Sequence, residues 1–188
     1  MIAWEAFKYQ GVEYDLTHLH PCRQQYIQSA KSGQPERTYT VEVCYSLHCF
    51  SKTLSTAADS HLNYSDARET RTFDLERYEL SKQLPQIIQD LSSKRCMHTG
   101  KGNFFVVEVV TSSGAKEDYE VYFDVQNSSA KGVIARLFVQ SAYVRDERHI
   151  NRLATTKKIS LFVILNNKQA GKPKGTLQKK RLRPLTEP

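Results

Sequence analysis

Three short stretches set histidine beside cysteine: HLHPC at 18–22, SLHCF at 46–50 and CMHTGKG at 96–102. Those residue types bind zinc, activate thiols or move protons, and their spacing decides among the three. His18, His20, Cys22, Cys44, His48, Cys49, Cys96 and His98 suffice as zinc ligands by number. Structural zinc sites pair ligands on a tight knuckle, whereas Cys44 and His48 fall in an alternating run that would hold them about 13 Å apart, at roughly 3.3 Å per residue. Pro21 interrupts the first cluster. A small zinc-stabilised module is therefore the third reading of the chain, and no residue is assigned to a metal or other cofactor.

A cysteine nucleophile needs a base beside it and a third group to orient that base. His48 and Cys49 are neighbours on opposite faces of the expected strand, so they should not pair, and Cys49 goes with the apolar side. No G-x-S-x-G, P-loop, H-E-x-x-H or dinucleotide fingerprint occurs.

HTGKGNFF at 98–105 is more informative. Gly100 and Gly102 permit a tight turn, while His98, Lys101 and Asn103 bring a titratable base, a cation and an amide to the mouth of a strand. Such a loop suits a phosphate; the plain alternative is an exposed turn. Further on, strict alternation along VIARLFVQSAYVRDERH puts Val139, Ser141, Tyr143 and Arg145 on one face and Arg136, Phe138 and Gln140 on the other. Lys157 and Lys158 open the strand that follows. Cations near a tyrosine suit a phosphate and a stacked base.

These residues must be positioned by regular elements. FKYQGVEYDL reads as a short hairpin, RQQYIQSA as a weak strand, and TYTVEVCYSLHCF as a clear strand with Tyr39, Val41, Val43, Tyr45, Leu47 and Cys49 on the core face. Residues 51–71 are polar and lack a sustained period, which predicts a long loop. A helix is expected from about Leu75 to Ser93, capped by Asp74, stapled by Phe73 and Tyr78, and kinked or restarted at Pro85. NFFVVEVV, DYEVYFDV, VIARLFVQSAYV and KKISLFVIL read as four strands, the first three an antiparallel meander, with a helical turn in the link RDERHINRLATT. The expected fold is α+β: a mainly antiparallel sheet covered by one principal helix.

The chain of 188 residues, 39% hydrophobic and 25% charged, has the balance of a globular protein. It is expected to form one domain over 1–167, followed by a basic tail over 168–188. That tail holds seven basic residues and one acid, so +6 of the net charge of +7 resides there and about +1 is left for the body. Lys172, Lys174, Lys179, Lys180, Arg181 and Arg183, with Lys157 and Lys158, are the candidate nucleic-acid contacts. A solvated extension is the bland alternative. No apolar run approaches the roughly 20 residues that span a bilayer, and the N-terminus lacks a signal-peptide pattern, which predicts a cytoplasmic protein with no membrane partner. In that compartment the four cysteines are expected as reduced thiols.

Helical material followed by a four-stranded meander, with scattered His, Lys, Arg and Tyr, resembles the barnase, EndoU, colicin and RelE-like ribonuclease superfamily of bacterial and phage toxins over roughly Asp74 to Leu165. The resemblance implies metal-independent RNA cleavage by attack of a 2′-hydroxyl on the adjacent phosphate. It would give His98 the base or acid role, Lys101 and Arg145 charge stabilisation, Tyr143 base stacking or proton donation, and His48 a reserve acid–base role. Such a protein takes nucleic acid, RNA ahead of DNA, and has room for a neutralising protein or RNA partner. The rival expectation is a non-enzymatic accessory factor of phage or plasmid origin that grips nucleic acid or a protein through the sheet and tail.

Overall fold

The computed structural model describes residues 2–31, 33–54, 57–98, 103–111, 113–144 and 157–170. The chain opens on the expected hairpin of β1 (Phe7–Tyr9) and β2 (Val12–Tyr14). Its two-residue turn needs positive φ at both positions, which Gln10 (49°) and Gly11 (78°) supply. Next come β3 (Cys22–Gln28) and β4 (Arg37–Tyr45), antiparallel with Tyr26 opposite Tyr39. In β4 the alternation places Tyr39, Val41, Val43 and Tyr45 in the core, and Glu42 and Cys44 on the other face are buried too.

The β4 run was expected to continue through Cys49, but it stops at Tyr45. Ser46 turns its hydroxyl to accept from the His48 amide, and Leu47–Cys49 close a 3-10 turn. A serine that satisfies a nearby backbone donor offers the chain an alternative to the ladder, and here it takes it. His48 and Cys49 still part company: His48 is half-exposed and Cys49 is fully buried.

Residues 51–71 are not a loop. They carry β5 (Ser51–Lys52), a 3-10 stretch over Ala57–Leu62, β6 (Asn63–Ser65) and the start of β7 (Thr70–Phe73), in a small sheet ordered β5-β7-β6. Strands of two to four residues are too short to show a period, and their stability comes from an aromatic cluster beneath them. Phe73 stacks on Phe7 at 4.2 Å between centroids, and Phe50 meets Tyr64 edge-on at 5.2 Å and Trp4 at 5.3 Å.

Asp74 caps the following helix as its sequence implies, accepting from the Arg77 amide at 2.9 Å, and Phe73 packs on Tyr78 at 5.5 Å. Pro85 divides the helical segment into α1 (Leu75–Ser81) and α2 (Leu84–Gln89), because a proline within the first turn of a helix forfeits no bond. Then β8 (Arg95–His98), β9 (Asn103–Val110), β10 (Lys116–Gln126) and β11 (Ala135–Val144) form the meander. It contains four strands, but starts one strand earlier than expected. The segment KKISLFVIL is a strand only as β12 (Lys157–Ser160), which pairs with β8. Ser160 then caps α3 (Leu161–Gln169), and Leu161 and Leu165, one helical turn apart, are fully buried.

The main sheet runs β12-β8-β9-β10-β11-β4-β3, antiparallel except where β11 lies parallel to β4, with Ala135 opposite Val41 and Val139 opposite Tyr45. The fold is thus α+β with antiparallel-rich sheets, but three α-helices replace the single principal helix among the described residues. Two of them pack on one face of the sheet: Tyr26 donates to the Ile88 carbonyl of α2 at 2.6 Å, and Tyr39 meets Phe162 of α3 at 5.9 Å. Among the described residues no helix is long and apolar enough to cross a membrane.

Candidate functional site

The strands and turns around Ser51 gather a polar network beyond the end of β4. His48, held on its 3-10 turn, has Nε2 2.7 Å from Glu69 Oε1. Glu69 is presented by a turn in which Asp66 Oδ1 accepts from the amides of Arg68 and Glu69 at 2.8 and 2.9 Å. The other Glu69 oxygen lies 3.5 Å from Arg71 Nη1, and Arg71 Nε donates to Ser51 Oγ at 3.0 Å. Arg77, projecting from α1, donates from Nη1 to the Ser51 carbonyl at 2.8 Å. Its guanidinium carbon stands 5.5 Å from the centroid of Tyr143. Tyr143 stacks on Tyr122 at 5.6 Å, and the Tyr122 hydroxyl donates to Glu120 Oε2 at 2.6 Å.

Charges shape this region. The hydrogen bond from His48, with Arg71 nearby, holds the Glu69 carboxyl below the usual carboxylate range. Burial lowers the affinity of Arg77 for its proton, which Asp74 partly restores and Arg71 opposes. Burial, then the hydrogen bond to Glu120, raises the Tyr122 phenol. Lys52 lies 3.2 Å from Asp74, and the positive charges of Lys52, Arg71 and Arg77 stand against the carboxylates of Asp74, Glu69 and Glu120, so the network is balanced before His48 is counted.

Tyr143 reaches this network because β11 is irregular. Tyr122 pairs with Ser141 while the next residue, Phe123, pairs with Val139, so Gln140 is an extra residue in the strand. The bulge moves Ser141 and Tyr143 off the Val139 face, where strict alternation put them, and onto the face of Arg136 and Phe138. Arg136 there donates from Nε to Glu42 Oε2 at 2.8 Å.

His98 lies elsewhere. It pairs with Asn103 across β8 and β9, with Nδ1 3.1 Å from Asn103 Oδ1, on the helix-covered face shared with buried Cys96. Tyr143 is on the opposite face, three strand spacings across, about 14 Å, and further along β11 than Val139, the residue in line with His98. The structure therefore brings His48 and Tyr143 into one network and leaves His98 apart, with Lys157 as its ladder partner and Lys158 exposed on the same edge strand. Lys101, Arg145, Lys172, Lys174, Lys179, Lys180, Arg181 and Arg183 lie outside the described residues. Glu69, Arg71, Arg77 and Tyr122 were not singled out from sequence, since only the folded turns bring them to Ser51.

His18, His20, Cys49 and Cys96 have structural surroundings. His18 Nε2 lies 2.8 Å from Ser81 Oγ, and His20 Nε2 lies 2.9 Å from the Trp4 carbonyl. Cys49 and Cys96 are fully buried, and burial pushes each thiol up to about 12, far from the thiolate a nucleophile needs. Among the described residues no three His, Cys, Asp or Glu side chains converge as metal ligands.

No solved structure matches this chain. The family model described as the YjaZ family matches residues 6–169. Protein YjaZ of Escherichia coli (strain K12) is 31% identical over 175 residues, covering 90% of this chain and 95% of that protein. With a match across nearly all the described fold, the chain belongs to the YjaZ family.

Proposed function

We propose that this protein binds nucleic acid, RNA ahead of DNA, through the surface around Arg71 and Arg77, with its basic C-terminal residues adding salt-dependent attraction. The observation that supports the reading is the convergence of two guanidinium groups on one residue, Ser51. A guanidinium offers five N–H donors; Ser51 takes one on each arginine and Glu69 a second on Arg71, so phosphate oxygens are fitting partners for those that remain. Tyr143 serves here as the wall that holds Arg77, since Arg77 and Tyr122 both pack on its ring.

The hydrogen bond between His48 and Glu69 favours a second reading, metal-independent cleavage of the bound RNA. A carboxylate that orients an imidazole is the arrangement a general acid or base requires, and adjacent arginines would stabilise a developing phosphorane charge.

One experiment addresses both. Fluorescently labelled single-stranded RNA and duplex DNA of equal length are titrated with protein in EDTA over a salt series, and the RNA is then sized on a gel. Binding should weaken with salt, and Arg71→Gln should lower the slope of log K against log salt by roughly 0.7, the value of one single-strand phosphate contact. No binding at low salt, or an unchanged slope in the variant, removes the first reading. Intact RNA, or cleavage undiminished in His48→Ala and Glu69→Gln, removes the second.

A further inference from the structure

At the other end of β4 from His48, about 27 Å away at the ~3.3 Å rise of a strand, lies a groove that the nucleic-acid reading does not use. It has a volume of about 360 Å³ and is lined by Gln28, Gln34, Arg37, Phe162, Val163 and Asn166. That volume falls at the small end of the roughly 300–1,000 Å³ of small-molecule sites. One wall is the last residue of β3 and the first of β4, and the other is the first two turns of α3.

The polar atoms of this groove are not a random mixture. Arg37 Nη1 donates to Asn166 Oδ1 at 3.2 Å, and because a guanidinium only donates, the amide oxygen must be the atom that faces it. The Asn166 NH2 group is consequently turned away from Arg37. Tyr39 donates its hydroxyl to Gln28 Oε1 at 3.0 Å, so the Gln28 oxygen is engaged and its NH2 group is left for another partner. The groove thus carries one permanent cation, two amides whose oxygens are engaged, and the Gln34 amide, which brings a donor and an acceptor alike. Its surplus is in donors. Beside Asn166 on the α3 wall, Phe162 is partly buried against the core and Val163 is 45% exposed, forming an apolar surface.

We infer that this groove binds a carboxylate borne on a short apolar body. The carboxylate takes the Arg37 guanidinium and the Gln28 and Asn166 NH2 groups, while the apolar body lies on Phe162 and Val163. A free small acid and the C-terminal residue of an apolar peptide share this chemistry. The inference is independent of the nucleic-acid reading, since none of its residues belongs to the Arg71 and Arg77 network.

The test uses the full chain labelled with nitrogen-15 and follows the side-chain NH2 resonances of Gln28 and Asn166. The probes are octanoate against octanamide, an N-acetylated Ala-Leu-Val tripeptide against its C-terminal amide, and inorganic phosphate. Both acids, or one of them, should shift these resonances saturably, with the matched amide about tenfold weaker, the difference between a charge-assisted and a neutral hydrogen bond. Arg37→Gln should weaken the acid about tenfold and leave the amide unchanged. A larger response to the tripeptide than to octanoate identifies the chain end as the source, and the reverse identifies a free acid. Equal binding of acid and amide, undiminished binding in Arg37→Gln, phosphate binding as tight as the acids, or no response to any probe would overturn the assignment. The backbone amide spectrum of Arg37→Gln confirms its fold, and a Val163→Arg variant, which fills the groove from a half-exposed helix position, should abolish the response independently.

Discussion

Arg77 and Tyr143 are joined across 5.5 Å by a cation–π contact, so the first helix is fastened to the end of β11 by a half-buried charge. The same guanidinium donates to the Ser51 carbonyl at 2.8 Å, tying the small sheet to both. Arg77→Ala removes a charge-assisted hydrogen bond and leaves that carbonyl unpaired. The expected loss is about 2 kcal/mol, or a melting temperature lower by about 4–8 °C for a chain of this size. Thermal unfolding followed by circular dichroism checks it, with Arg77→Lys recovering only part, because an ammonium lacks the planar fork.

Deleting Gln140 should be tolerated far better than deleting Gln140 and Ser141 together. Without the extra residue Ser141 follows Val139 directly, so regular pairing keeps Tyr143 on its own face and fully buried Ala142 on the helix-covered one, whereas losing two residues exchanges them. The double deletion is expected to cost more than about 4 kcal/mol and the single deletion about 1–2 kcal/mol, while Gln140→Ala, at an exposed position whose bulge is held by the backbone, stays within about 0.5 kcal/mol. Urea denaturation of the three variants distinguishes the outcomes.

The acid side of the stability profile should carry the mark of His18. Burial depresses its affinity for a proton below the ordinary value, against a smaller opposing pull from Asp15, with Lys82 reinforcing the burial and Glu79 opposing it. As pH falls below about 6.5, the unfolded chain takes up this proton before the folded one, so stability declines and then levels off below the folded value. Above about 6.5 the contribution is constant. His18→Gln, which preserves a hydrogen-bonding partner for Ser81, should flatten the decline between about pH 6.5 and 5 in urea titrations.

Thiol reactivity should be confined to one position in the native protein. All four cysteines are free, but Cys22 alone is exposed, and Cys49 and Cys96 are sealed in the core. An aromatic disulfide reagent at mildly alkaline pH should modify one thiol quickly, slowed somewhat because partial burial raises that thiol's proton affinity. Cys22→Ser should abolish the fast phase, and denaturant should expose the rest.

Much of this molecule is legible in its residues where one local rule acts alone. Gln10-Gly11 specifies a turn, Asp74 a cap, Pro85 a restart, and the alternation of β4 a strand with one core face. The sequence misleads where two rules compete. At Ser46 a side-chain cap ends a strand whose apolar period runs on through Cys49. At Ser160 the same device, with Leu161 and Leu165 a turn apart, converts an apolar run of strand composition into a helix. The network around Ser51 was hidden for another reason. Glu69, Arg71 and Arg77 have no shared spacing, and the small strands that assemble them depend on aromatic packing between distant residues, such as Phe7 on Phe73. The bulge at Gln140 leaves no pattern of its own, yet it decides which face Tyr143 occupies.

The parallel pairing of β4 with β11 also sets an order of events in synthesis. β4 lies second from one edge of the finished sheet, between β3 and β11, and on its β11 side the neighbour is Ala135–Val139. Some ninety residues must be translated in between, roughly 5–20 s at ordinary elongation rates. For that interval the nascent chain carries an apolar strand with one unpaired edge, the feature that invites wrong partners. Newborn chains of this protein are therefore expected to need shelter from holding chaperones until the meander emerges, and truncations that end before β11 should accumulate as aggregates rather than as folded fragments.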